Sequence, residues 1–381
     1  MKLCIFPNDP IIAYYNKGEI KERYFNPENK FAEIHIISLI DKDIEEEKVQ
    51  TLVGNAKLKI HSVGKINIIN RKKHSKRIIN LVKKINPDII RAYNPFIEGW
   101  LAAICKNELG IPLFISLHTQ YDYNRYLMKN TNLKKFLALK YSEKFIEPFV
   151  LNSADKITIV FKIIESYVIR HTKNKPEILY NKIDFDRFSN AIPLDEIKKP
   201  LVLSVGNLIK EKNHKLIIEA MRDIDANYLI IGNGPLYDEL DKFIRKNNFS
   251  NRISILKSVS HEKIHRYFKS ADVFALAFDS NQEGLPMPVM EAMAAGLPVV
   301  IPYPKEGYSD GLEDIAIFSE RNSDSFGKKI QLLLSNSELR KKISIKSQEK
   351  AVDFDKSKTE KREAEIYEEL IRKRVSQNTN S

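Results

Sequence analysis

Three places in the sequence hold residue types at spacings that could do chemistry. The first is Asn281–Val300, NQEGLPMPVMEAMAAGLPVV. It reads as a loop after a short apolar strand, a helix of about ten residues, a stop at Gly296 and Pro298, and another strand. Glu283 falls in the loop and Glu291 inside the helix. Gly284 lets the backbone approach a ligand closely, and the helix start beyond it offers free N–H groups and the positive end of a dipole. A phosphate there would be held by backbone donors, with Glu283 beside it to accept from sugar hydroxyls. The plain alternative is an ordinary crossover with an incidental carboxylate. The second place is His261-Glu262-Lys263-Ile264-His265, which matches the zinc-binding H-E-x-x-H pattern, with Glu283 placed as a third ligand. Three fixed positions are easily matched by chance in a chain rich in Lys and Glu. The third is a set of Asp-x-Asp pairs, Asp41/Asp43, Asp184/Asp186 and Asp223/Asp225, a pattern that can hold a divalent metal but recurs here at a chance level.

The elements that must position these residues follow from the apolar runs. Lys2–Phe6, Ile34–Ile40, Asp88–Ala92, Leu113–Leu117 and Lys156–Val160 are strand candidates in the first half, with helix-like stretches such as Lys76–Lys84 and Gly99–Leu109 between them. Leu201–Val205, Tyr228–Ile231, Ile253–Leu256, Val273–Ala277 and Val299–Ile301 repeat the scheme in the second half. Runs of Val, Ile and Leu without polar alternation predict strands covered on both faces, hence parallel sheets between helices. Two consecutive series of this kind predict two doubly wound α/β domains. The polar stretch Asn181–Pro200 marks the junction. The domains are therefore expected at 1–185 and 186–360, with 361–381 a charged surface helix that frays after Lys373 and can pack back on the first domain.

Length and composition agree. A chain of 381 residues has room for two domains or three. No apolar run approaches the roughly 18 residues that span a bilayer. Cys4 and Cys105 alone cannot build a disulfide scaffold, so a reducing cytoplasm is the expected compartment. The net charge of +12 is uneven: residues 1–200 carry 34 Lys and Arg against 23 Asp and Glu, and the remainder is nearly balanced. Lys48 to Pro87 contains eleven basic residues and no acidic one, densest at Arg71, Lys72, Lys73, Lys76 and Arg77. This is either a solvated helix face or a patch for anionic lipid head groups, where each cation adds about 1 kcal/mol. No helix-turn-helix, zinc-finger or aromatic-rich RNA motif accompanies it, so nucleic acid is not an expected partner.

Several segments resemble, in order, the retaining glycosyltransferases of family 4 (group 1). Glu283 to Val299 resembles that family's E-x7-E signature. Leu201 to His214, LVLSVGNLIKEKNH, is similar to its "VGRL…EK" strand and loop, and Tyr228 to Leu236 to its "G-x-G-P" turn. Phe268–Phe274 and Leu179–Phe188 resemble its "[YF]-x-x-A-D-V-F" and linker motifs. The match covers about 200 residues of the second half strongly and the first half weakly. It implies the GT-B architecture, two Rossmann-like doubly wound domains facing across a cleft that holds the active site.

The resemblance also implies roles. Glu283 would bind donor-sugar hydroxyls, and Glu291 the nucleotide ribose. Gly284 and Leu285 would give backbone N–H groups to the diphosphate, with Pro286 in the same donor-binding segment. Lys212 matches the lysine that neutralises the leaving diphosphate. Asn207 stands where the family usually has arginine, so one phosphate-facing charge is replaced by a hydrogen-bond donor. Gly232 would lie at the donor or simply make the turn after a strand. In the first half His118 matches a histidine facing the donor sugar, and Gly18 is the one candidate for the family's glycine-rich loop. Tyr121 and Arg125 lie just beyond His118, at a docking segment for acceptor or in a packed loop.

These roles imply transfer of a hexose-type sugar from a UDP- or GDP-linked donor, with retention and with neither metal nor cofactor, to a lipid-linked or cell-surface glycan acceptor. The enzyme would be cytoplasmic, with the basic first domain on the inner face of the membrane. Alternatives are a GT-B sugar-nucleotide epimerase, a binding protein that has lost catalysis, and, remotely, a zinc metalloprotease.

Overall fold

The computed structural model describes residues 1–260 and 262–379. The chain divides into two units, Met1–Tyr180 together with the segment from Glu360 onward, and Asn181–Thr359. Each is a parallel sheet with helices packed on it.

The first unit has seven strands: β1 (Lys2–Phe6), β2 (Glu33–Ser38), β3 (Lys57–Ser62), β4 (Ile89–Ala92), β5 (Leu113–Leu117), β6 (Lys156–Ile159) and β7 (Glu177–Ile178). They lie in the order β3-β2-β1-β4-β5-β6-β7, every neighbouring pair parallel. Every residue of β4 and β5 is buried, as strands covered on both faces require. The apolar runs predict all of these except β3 and β7, the two edges. β3 reads Lys-Leu-Lys-Ile-His-Ser, an alternating pattern inside the basic stretch, and β7 has only two residues. The stretch beyond His118 is helical: Tyr121–Thr131, Leu133–Phe145 and Glu147–Ser153 lie between β5 and β6. The side chains of Gln120 and Asn132 cap the first two of these helices.

The C-terminal helix, Lys356–Thr379, continues past Lys373 and belongs to this first unit from Glu360 on. Its Ile366, Tyr367 and Leu370 share a core with Ile5, Ile36 and Ile89. Arg91 of β4 is buried at the contact. Its Nη1 lies 3.0 Å from the Glu363 carboxylate and donates to the Tyr367 hydroxyl at 2.9 Å. Its Nη2 donates to Ser116 Oγ at 2.8 Å, and its plane sits 3.8 Å from the Phe114 ring centre. A guanidinium this buried needs its carboxylate.

Among its described residues the second unit has six strands: β8 (Leu201–Val205), β9 (Asn227–Ile231), β10 (Ile253–Leu256), β11 (Val273–Ala275), β12 (Val299–Pro302) and β13 (Ile317–Ser319). Their order is β10-β9-β8-β11-β12-β13, again all parallel. Ile217, Ile230, Val273, Phe326 and Ile330 are part of the core around them. Only the edge strand β13 escapes prediction from the apolar runs. In both sheets the order reverses direction next to the first strand, between β1 and β4 and between β8 and β11.

Removing the Glu363 carboxylate tests the anchoring of the C-terminal helix. Glu363→Ala should cost about 3–5 kcal/mol in urea denaturation, and the double variant Arg91→Met/Glu363→Leu should recover most of it, since an apolar pair removes the uncompensated charge.

Candidate active site

In an open parallel sheet, ligands bind beyond the carboxyl ends of the strands where the strand order reverses. In the second unit that point lies between β8 and β11, which pair at Val202–Val273 and Leu203–Phe274. The loop after β8 carries Lys212 and the loop after β11 carries Glu283, and the Lys212 ammonium donates to the Glu283 carboxylate. Two residues 71 apart in sequence are thus joined by strand adjacency. Lys212 is only 9% exposed, and a polar group so buried needs a hydrogen-bonding partner, which Glu283 supplies.

The two loops are stitched by groups that spacing alone does not pick out. The Asp279 amide donates to the Glu211 carbonyl at 2.9 Å, and the Glu283 amide to the Asp279 carbonyl at 3.1 Å. Arg321, just beyond β13, donates through Nε to the Ala277 carbonyl at 3.0 Å and through Nη2 to the Glu211 carbonyl at 3.2 Å. Its Nη1 lies 3.8 Å from Asp279. One guanidinium therefore holds the residue before Lys212 and the stem of the Glu283 loop. Arg321 follows an edge strand that the apolar pattern does not reveal, so no local signal marks it.

Gly232, expected at the donor or in the turn after a strand, packs closely in that turn. A Cβ there would fall 1.9 Å from the Gly206 carbonyl, and the Leu208 amide donates to the Asn233 carbonyl at 2.9 Å. The two glycine turns after β8 and β9 lie flush, which sets the path of the Lys212 loop. Asn213 in the left-handed conformation (φ 46°) then starts the helix His214–Ala220. His214 is buried beside Gly206, and desolvation, with the Lys212 charge adding, lowers its pKa to about 4. Asn207 is exposed at the start of this loop.

Beyond Glu283 the chain turns through half-buried Gly284 and buried Leu285 and Pro286 into the helix Met287–Ala294, whose N-terminus has no side-chain cap. Glu291 is half-buried on that helix. The structure thus brings Lys212, Glu283 and the uncapped helix start onto adjoining segments. Of the H-E-x-x-H stretch, His261 lies outside the described residues; the helix there begins at Ile264, and His265 accepts from Arg187 Nε at 3.4 Å.

In the first unit His118 directly follows β5, its ring stacked on Tyr93 with centroids 5.6 Å apart. Its Nε2 is buried without a hydrogen-bond partner among the described residues. Desolvation, with Arg91 adding, lowers its pKa to about 4. Gly18 is exposed at φ +69°, with open space where a Cβ would go. Tyr121 and Arg125, expected at a docking segment, are instead buried. Arg125 Nη2 donates to both oxygens of the fully buried Glu147 at 2.8 and 2.6 Å, and Tyr167 donates to the same carboxylate at 2.6 Å. Arg71, expected in the basic patch, is buried too: it donates to the Ile68 carbonyl and to the Tyr141 hydroxyl, beside Trp100. Lys72, Lys73, Lys76 and Arg77 are exposed on the helix Arg71–Ile85.

Some of the residues that could hold a metal are otherwise engaged. Asp43 accepts from the Ile11 and Ile12 amides at 2.9 and 2.7 Å and so caps a helix, and Asp184 accepts from the Arg187 amide and Lys356. Asp122, Glu143 and His171 come within ligating distance of one another. Arg125 lies 3.0 and 3.2 Å from those two carboxylates, and Arg170 pairs with both, so guanidinium groups already stand where a cation would.

Comparison with known proteins gives the family and the fold. Residues 183–350 match the model for glycosyl transferases group 1, and residues 32–187 match that for Glycosyltransferase Family 4. An uncharacterized glycosyltransferase of Methanocaldococcus jannaschii is 28% identical over 344 residues, covering 90% of this chain and 91% of that one. The N-acetylgalactosamine-N,N'-diacetylbacillosaminyl-diphospho-undecaprenol 4-alpha-N-acetylgalactosaminyltransferase of Campylobacter jejuni is 32% identical over 260 residues, 66% of each chain. Among solved structures, Anabaena HepE in complex with UDP superposes with a TM-score of 0.74 at 14% identity, covering 97% of this chain and 100% of that one. The chain belongs to the family-4 glycosyltransferases and has their GT-B fold of two Rossmann-like domains.

Two expectations follow. Arg321→Met should leave the melting temperature within a few degrees but raise KM for the donor about tenfold, because both loops lose a shared anchor; Arg321→Lys should restore little, a point charge being unable to bridge two carbonyls. His118 and His214 titrate lower in the folded than in the unfolded chain, whose value is near 6.5. Their contribution to stability is therefore complete above pH 6.5 and is lost as the pH falls from there towards 4, where the unfolded state takes up protons first. The melting temperature should drop between pH 7 and 5, and His118→Gln/His214→Asn should flatten that slope.

Proposed function

We propose that this enzyme transfers a hexose-type sugar from a nucleoside-diphosphate donor to a lipid-linked or cell-surface glycan acceptor, with retention of configuration and without a metal. The observation that carries the proposal is the Lys212–Glu283 pair at the strand-order reversal of the second sheet, beside an uncapped helix N-terminus. A nucleotide sugar already has a good leaving group, so the enzyme's task is to stabilise negative charge growing on the diphosphate. Lys212 and the N–H groups of Gly284, Leu285 and the helix start supply that stabilisation. An ammonium has three donors, so Lys212 can keep one on Glu283 while the others meet phosphate oxygens. Glu283 then accepts from sugar hydroxyls and orients the oxocarbenium-like centre, and Glu291 accepts from the ribose. Asn207 adds a neutral donor at the diphosphate, and the family resemblance assigns His118 and Gly18 to donor binding.

Support for the acceptor class comes from the Campylobacter relative, whose name specifies a diphospho-undecaprenol substrate. The UDP held by the Anabaena protein makes uridine the first nucleotide to try.

A thermal-shift panel of UDP, GDP, ADP and their sugar conjugates, run in EDTA, tests the reading. A nucleotide that binds only the folded state adds about 2.7 kcal/mol at a hundredfold excess over its Kd. One series should shift the melting temperature, and Lys212→Ala should abolish the shift. Glu283→Gln should keep the nucleotide shift and lower kcat at least about a hundredfold. Near-normal turnover in that variant, or a shift that needs metal, would overturn the assignment.

A further inference from the structure

The helix Leu133–Phe145 carries Leu133, Leu137, Tyr141 and Phe145, each four residues from the next and each exposed. Residues at that spacing share one helix face, so this is a continuous apolar stripe turned to solvent. Leu133 is 63% exposed and Leu137 58%. Ser142 is the only buried residue of the helix. A second apolar point adjoins the stripe: Ile69, 93% exposed, just before the helix Arg71–Ile85. Arg71 ties the two together, since it donates to the Ile68 carbonyl on one side and to the Tyr141 hydroxyl on the other.

The exposed charges on these two helices are of one sign. Lys134, Lys135 and Lys144 are exposed on the stripe helix, and Lys72, Lys73 and Lys76 on the helix that Arg71 begins. The two acidic residues between Tyr121 and Ile146, Asp122 and Glu143, are drawn to Arg125 and Arg170. Apolar side chains that stand out of a fold, flanked by lysines and with an aromatic ring at the boundary, match an anionic bilayer surface: hydrocarbon takes the stripe and head groups take the lysines. The stripe helix has 13 residues, and no described helix is long and apolar enough to cross a membrane, so such a segment lies in the interface.

We propose that Ile69 and the Leu133–Phe145 stripe form a membrane-docking surface of the first unit, specific for bilayers with anionic head groups. This relocates the contact from the lysine-rich helix face alone to an apolar insertion with lysines around it. It deepens the lipid-acceptor reading, and the helix Tyr121–Thr131 joins the stripe to the loop that holds His118.

The test is co-sedimentation with phosphatidylcholine vesicles that contain or lack roughly three parts in ten of phosphatidylglycerol. The parent should bind the mixed vesicles and leave the neutral ones. Ile69→Ser/Leu133→Ser/Leu137→Ser should reduce binding at least about tenfold with an unchanged melting temperature. Lys134→Gln/Lys135→Gln/Lys144→Gln should weaken binding several-fold, an effect that about 0.5 M NaCl reproduces in the parent. Leu137→Trp should show blue-shifted emission on the mixed vesicles only. Undiminished binding by the triple serine variant, or no binding by the parent, overturns the proposal. A parent dimer that the serine variant converts to monomers, without lipid binding, overturns it in favour of a second copy on this face. The nucleotide-induced thermal shift reports separately: its survival in a parent that ignores vesicles would sink the docking surface and leave the transferase reading standing.

Discussion

A lysine that is nine-tenths buried has to be met by a carboxylate, because an ammonium taken out of water without a partner costs several kcal/mol. In this protein the carboxylate comes from a loop 71 residues further along the chain, and much of the second unit serves to bring it there. The pairing of β8 with β11 sets the two loops side by side. The flush contact of Gly206 and Gly232 sets the height of the first, and Arg321 with Asp279 sets the path of the second. Each of these groups constrains the position of Lys212 or Glu283 through the backbone of its loop. The stems of the two loops are held by backbone hydrogen bonds and by Arg321, while the N–H groups at the start of the helix Met287–Ala294 have no side-chain cap, an arrangement suited to electrostatic stabilisation with little reorganisation.

The first unit separates its positive charge into two populations. Arg71, Arg91 and Arg125 lie inside, each against a ring, a hydroxyl or a carboxylate. The lysines of the basic run and of the helix Leu133–Phe145 lie outside. The difference is chemical: a guanidinium is weakly hydrated and planar, so it can stack and fork inside a protein, whereas an ammonium keeps its water. The excess of basic residues in the first half of the chain is therefore not one patch. Arg71, Arg91 and Arg125 hold helices in place, Arg91 tying in the C-terminal helix through Glu363 and Tyr367, and the exposed lysines with Arg77 make the surface.

The same division explains how much was legible beforehand. The central strands, the two-unit plan and the Glu283 segment are readable because their cause is local: a run of apolar residues, or a glycine and proline turn before a helix. Edge strands β3, β7 and β13 are not, since they are half-solvated or very short and lose the apolar signature. Arg71 and Arg125 carry a charge that suggests surface, and only the positions of Tyr141 and Glu147 show them to be interior. Arg321 and Asp279 act through backbone carbonyls and amides, which have no sequence signature at all. The Lys212–Glu283 contact lies between: the resemblance to a family names both residues, but their direct bond is a fact of strand order.

That bond bears on how a donor would be selected. A diphosphate arriving alone at Lys212 shares the ammonium with Glu283 and so lies next to a carboxylate that repels its own negative charge. A nucleotide sugar brings hydroxyl donors along with the diphosphate, and these can take up the carboxylate as the ammonium turns to phosphate. The pair thus penalises a ligand that satisfies only one of its members and favours one that satisfies both. On the proposed reading, discrimination between nucleotide sugar and free nucleotide arises from a single ion pair, and it weakens if either charge is removed. A complementary pair held between two loops couples recognition of the two halves of the donor without any movement of the sheet that carries it.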